Sequence, residues 1–156
     1  MVTEGYDFGR DRFAELLLRR FFPEKTDHES ALLLEYLVAH GDDFDAWRFS
    51  VRIGEGLTPD PEHLPGVQAN TIRASRRRID FVGMTHDQAT LVELKTRVGH
   101  QVMGQLLSDR QLWVDEFPNG PEPRLVAVGR TSTDEDLRIL TGHGITVYLY
   151  DPPVTE

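Results

Sequence analysis

The chain has 156 residues, of which 39% are hydrophobic, enough for one core and the basis for expecting a single domain over 1–156. A formal charge of −9 weighs against coating nucleic acid by bulk electrostatics, and zero cysteines exclude a disulfide framework, a thiolate zinc site and a cysteine nucleophile. No run approaches ~18 apolar residues, and the start "MVTEGYDFGRDRF" is neither basic nor apolar, so the expectation is a cytoplasmic protein without membrane contact.

Apolar residues at 13, 16, 17, 18, 21 and 22 predict a first helix over 8–22, stopped by Pro23. "DHESALLLEYLVAHG" predicts a second, largely buried helix with Asp27 as N-cap and Gly41 as stop. "AWRFSVRIG" alternates Trp47, Phe49, Val51 and Ile53 with polar residues and reads as a strand with one wet face. The proline- and glycine-rich stretch "EGLTPDPEHLPGVQAN" reads as a long loop. Residues 76–84 and 89–97 form two strands around "THDQ", an antiparallel hairpin. "GHQVMGQLLSDRQLWVDEF" has helical spacing, "RLVAVG" is a buried strand, "TSTDEDLRILTGHG" a capped helix and "ITVYLY" a last strand, with the tail expected to fray.

The hairpin holds the chemistry. Alternation puts Leu91, Glu93 and Lys95 on one face of their strand, and Arg78, Asp80 and Val82 on one face of the other, opposite Ile79 and Phe81. If the faces carrying Asp80 and Glu93 coincide, two carboxylates converge, and like charges that close call for a cation between them. A hard divalent ion with oxygen ligands and retained waters suits that place, and binds phosphate as well. Lys95 is unusual in its own right, because the seventeen basic residues are fifteen arginines and two lysines, Lys25 and Lys95. An ammonium is a compact donor suited to orienting a water. Residues 72–97 hold six cations against three anions, so a polyanion would bind there. The alternative for these residues is an ordinary salt-bridged sheet face.

The run "IDFVGMTHDQATLVELKTR...GQLL" resembles the PD-(D/E)xK nuclease superfamily, in particular its RecB-like and NucS-like branches, with Ile79 where the motif's name places proline. The resemblance spans roughly residues 28–150. It implies an α/β fold with a restriction-endonuclease-like core, a central mixed β-sheet flanked by helices in the order ααβββαβαβ. It also implies a nuclease dependent on Mg2+ (or Mn2+) that hydrolyses DNA, alone, as a homodimer or as a subunit of a larger DNA-processing complex. Asp80 and Glu93, with the Leu94 carbonyl, would hold the metal, Lys95 would serve the water, and Gln105 would support the site from the helix that follows. For the family's helix glutamate, Glu35 on a nearly all-apolar helix is favoured over Glu29, since a buried charge needs a partner. Arg76, Arg78 and Arg97 are candidates for DNA phosphates, a solvated strand edge being the other reading. Arg110 stands out within the apolar stripe of Met103, Leu106, Trp113 and Phe117. A catalytically silent module that binds nucleic acid or a protein is the competing reading. Nothing in the sequence separates DNA from RNA or end from internal cutting.

Overall fold

The computed structural model describes residues 4–151, and the tail over 152–156 that was expected to fray lies outside them. Six strands form one sheet in the order β1 to β6: Glu4–Gly9, Ala46–Ile53, Arg77–Thr85, Gln88–Leu94, Arg124–Gly129 and Ile145–Leu149. The first four pair antiparallel and the last two join in parallel, giving a mixed sheet. Helices α1 (Phe13–Leu17) and α2 (Asp27–His40) cover one face, packing Leu16, Leu32, Leu33 and Tyr36 onto Trp47, Phe49, Phe81 and Val92. Helices α4 (His100–Glu116) and α5 (Asp134–Gly142) cover the other, where Val102, Leu106, Trp113 and Leu140 meet Val51, Ile79, Leu91 and Ala127. The chain is therefore an α/β protein with a mixed sheet between helical layers.

The expected order changes in two places. The first helix over 8–22 is instead an edge strand, a 3-10 turn at Arg10–Arg12 and the short α1. Side chains of β1 are mostly exposed, so it leaves no alternating pattern, and Asp7 ties it to Arg48 of β2 at 2.8 Å. Leu18 and Phe21, counted toward that helix, are exposed. The long loop contains a helix, α3 (Pro65–Ser75), which opens on a proline and buries none of its residues, so it shows no apolar face in the sequence. At α2 the cap is Thr26, one residue before the expected Asp27. Its hydroxyl accepts from Glu29 N while the Glu29 carboxylate accepts from Thr26 N.

The strands also break strict alternation. Residues two apart normally share a face. Trp47 and Phe49 lie in the α2-side core but Val51 and Ile53 in the α4-side core; on β3, Phe81 and Ile79 are divided in the same way. The switch falls at Ser50, which has φ of 52°, and at Asp80 facing it, and this corrects the shared face expected for Ile79 and Phe81. Ser50 therefore holds a left-handed backbone in a strand interior, which a non-glycine residue adopts only under constraint from its surroundings.

The glycine closing "RLVAVG" reflects a close approach. A Cβ at Gly129 would run into the Lys95 carbonyl and come within 2.6 Å of the Val98 side chain, so β5 presses on the chain leaving β4. Gly129→Ala should cost about 1–3 kcal/mol by overpacking, read from urea denaturation followed by circular dichroism. Unchanged stability would contradict this packing.

Candidate active site

The site arises where β3 and β4 part. They pair from Thr85 and Gln88 at the turn to Phe81 and Val92, after which β4 follows β5, with Leu94 opposite Val128 and Lys95 N donating to Val128 O at 3.0 Å. The Leu94 N–H, turned away from β3's backbone, donates to Asp80 Oδ2 at 2.9 Å. A side chain thus takes the place of the missing ladder bond, which holds Asp80 inside the sheet although it is charged. Leu91 packs in the α4-side core while Val92 and Leu94 pack in the α2-side core, so Glu93 is on the α4 side.

Asp80 and Glu93 are both buried and lie within reach of one another. Burial pushes the Glu93 carboxyl well above its ordinary range, and the carboxyls of Asp80 and Asp109 beside it push the same way. Asp109, on α4, is fully buried. Its Oδ1 accepts from Arg77 Nε at 2.8 Å, while its Oδ2 is buried with no hydrogen-bond partner. Asp109 was not foreseen. Sequence spacing put Arg110 in the apolar stripe, but α4 buries Val102, Leu106, Asp109 and Trp113, a stripe rotated so that Arg110 is half-buried and lies 3.7 Å from Glu122.

A second unforeseen group is Lys25. Its side chain has 0% exposure, and Nζ lies 3.8 Å from Asp80 Oδ1. Nζ donates to Ser50 Oγ at 2.6 Å, and Ser50 Oγ donates to Pro23 O at 2.8 Å. Burial lowers the Lys25 pKa and Asp80 opposes that shift. Arg78 reaches Asp80 Oδ1 at the same 3.8 Å while donating to Glu24 O. The only sequence signal was that Lys25 is the other of two lysines.

The remaining expected residues divide. Lys95 is exposed, its ammonium has no partner among the described residues, and it lines a cavity of about 330 Å³ with His28, Glu29, Leu32, Leu94 and Thr96. Glu29, capping α2, is therefore the helix acid that shares a cavity with Lys95. Glu35 is part-exposed and bonds the buried Arg130 side chain at 2.7 Å, just past the end of β5. Gln105 is half-buried one turn before Asp109, and its carbonyl accepts from Arg77; Gln101 is exposed. Arg76 donates to the carbonyls of Gly54 and Arg52 and fastens α3 to the end of β2. Arg97 is exposed at the end of β4. A larger cavity of about 550 Å³, around the starts of β5 and β6, includes none of these site residues.

The donor set suits a hard divalent ion. Asp80 and Glu93 are two buried carboxylates within reach of one another, and among the described residues no group of three or more histidine, cysteine or acidic residues could hold a metal ion. Mg2+ is ordinarily held this way, by one or two carboxylates with retained waters. No helix among the described residues is long and apolar enough to cross a membrane.

No protein-family model matches the chain, and no curated protein matches it in sequence. Two solved structures are similar. One, a repair endonuclease from Pyrococcus abyssi, has a TM-score of 0.48 and 18% identity, over 85% of this chain and 50% of that one. The other is an EndoMS-dsDNA2 complex, with a TM-score of 0.46 and 19% identity over 88% of this chain and 51% of that one. The chain spans about half the length of these structures, and likenesses with TM-scores below 0.5 assign it no chemistry.

A carboxyl whose pKa is higher folded than unfolded favours folding while protonated, and that contribution fades as pH rises from the ordinary glutamate value of 4.5 through the raised one. Glu93→Gln stays neutral and escapes the loss. In EDTA the variant should match wild type near pH 4 and melt higher at pH 8. Identical pH dependence of the two melting temperatures would contradict the raised pKa of buried Glu93.

Proposed function

We propose that the chain is a metal-dependent nuclease that hydrolyses phosphodiester bonds, with DNA as the substrate class implied by its resemblance to the PD-(D/E)xK superfamily. The observation that supports it most is the meeting of Asp80 and Glu93 where β3 and β4 part, with Leu94 N–H fixing the aspartate. In this reading Asp80 and Glu93 hold Mg2+ or Mn2+, and the Leu94 carbonyl is a further ligand by the same resemblance. When bound, such an ion lowers the pKa of a water and offsets phosphate charge.

The chain's own residues supply the rest. Glu93 gives up its proton to become a ligand, so acid opposes loading. Asp109 and Arg77 keep the Glu93 carboxyl in place. The Lys95 ammonium, without a partner among the described residues and open to the cavity beside β4, orients the attacking water or meets charge developing on phosphate. Gln105 supports the site from α4. Arg78 and Arg97 are placed for backbone phosphates near the end of the sheet that carries the carboxylates, although Arg78 must first release Asp80. One observation favours the competing reading, a catalytically silent module that binds nucleic acid or a protein: Asp80 already has cations beside it in Lys25 and Arg78.

Circular and linear DNA, single- and double-stranded, with Mg2+, Mn2+ or EDTA, separates the two readings. Cleavage should require metal. Asp80→Asn should lose metal binding and activity together. Lys95→Arg and Lys95→Ala should each lose on the order of 10² to 10⁴ in rate while metal still binds, because the wider, permanently charged guanidinium cannot replace a compact ammonium at the water. Glu35→Gln should leave cleavage unchanged. Robust cleavage by Lys95→Arg would leave only simple electrostatic stabilisation to that lysine. Failure of wild type on every substrate would move the assignment to the binding module.

A further inference from the structure

We propose that Lys25 is a counter-cation built into the site, occupying the Oδ1 side of Asp80 and leaving it when a divalent ion binds. The inference rests on the metal-site reading above and adds a positioning residue outside the D...ExK run. Three observations support it. The ammonium is wholly withdrawn from solvent and lies 3.8 Å from Asp80 Oδ1, while Oδ2 is already used by Leu94 N–H. Lysine is seldom buried without an ionic purpose, since the charge loses its hydration. The backbone that delivers it is held in uncommon conformations at both ends of the contact: Glu24, just before it, has φ of 55°, and Ser50, which accepts its hydrogen bond, has φ of 52°.

The placement has a consequence for binding. The oxygen of Asp80 left open to a ligand is the one Lys25 faces, and a doubly charged ion there would stand close to an ammonium in a poorly hydrated wedge. Repulsion between them is large at such a separation. Either Lys25 withdraws, keeping its bond to Ser50 Oγ, or the metal does not load. Lys25 thus holds Asp80 correctly turned in the metal-free protein, at the cost of weaker metal affinity.

Calorimetric titration with Mn2+ of wild type, Lys25→Met and Asp80→Asn tests this without any cleavage assay. Lys25→Met should bind Mn2+ about 10-fold tighter than wild type, since the competing charge is gone, and Asp80→Asn should not bind. A merely structural lysine would give the opposite sign or no change. The chain has only two lysines, so side-chain 15N-lysine NMR of the wild type gives two signals, and saturating Mg2+ should shift that of Lys25. This measurement decides the matter if Lys25→Met does not fold. Equal or weaker Mn2+ affinity in folded Lys25→Met, or a Lys25 signal unmoved at saturating Mg2+, overturns the inference while leaving the metal site standing. Binding by Lys25→Met alone supports it. No binding by either protein overturns both the inference and the proposed function.

Discussion

The hydrogen bond from Leu94 N–H to Asp80 Oδ2 is the interaction on which the site depends. On one edge β4 pairs with β3 only as far as Val92, while on its other edge it stays paired with β5 as far as Leu94, so its last residues leave a buried N–H without a strand partner on the β3 side. A carboxylate supplies the acceptor. Once Asp80 is drawn into the sheet for that purpose, its second oxygen and its charge must be dealt with in a space lined by Phe81, Val92 and Leu94 on one side and by Ile79 and Leu91 on the other. The cations and the neighbouring acids are arranged around that requirement.

Charge is balanced within the wedge. Asp80 faces Lys25 and Arg78, Asp109 faces Arg77, and Glu93, between the two aspartates, has its pKa raised by burial and by the carboxyls beside it. Three acids are thus matched by three bases, and burial favours a proton on Glu93. A buried ion pair of this kind contributes little to stability once desolvation is counted, so stability does not account for keeping six ionisable groups together. A divalent ion that takes the place of the proton and of Lys25 restores the same balance, which makes the arrangement exchangeable as well as satisfied.

Much of this was legible in the sequence, and the rest was hidden for physical reasons. The hairpin carrying Asp80 and Glu93 and the helix after Lys95 follow from period-two and helical spacing that burial imposes, while the mixed sheet was implied by the family resemblance. β1 and α3 left no such signal, because an exposed edge strand and a helix that buries nothing need no apolar face. Strict alternation failed at Ser50 and Asp80, where positive φ in one strand and the parting of two others reset the phase. Glu35 has a partner although it is only half-buried, and local spacing could not name it, since Arg130 is ninety-five residues away. Lys25 and Asp109 were missed for a similar reason. Each is set by a tertiary contact that no local spacing encodes, Lys25 by its approach to Asp80 from the segment before α2 and Asp109 by the rotation of α4 on the sheet.

The most direct test is an anomalous difference map from crystals of the protein soaked in Mn2+. The account predicts one strong peak at coordinating distance, about 2.0–2.4 Å, from carboxylate oxygens of both Asp80 and Glu93, with Lys25 Nζ displaced from Asp80 Oδ1. A map at saturating Mn2+ with no peak between those two carboxylates, or with Lys25 still on Asp80 and the ion bound elsewhere, would contradict it.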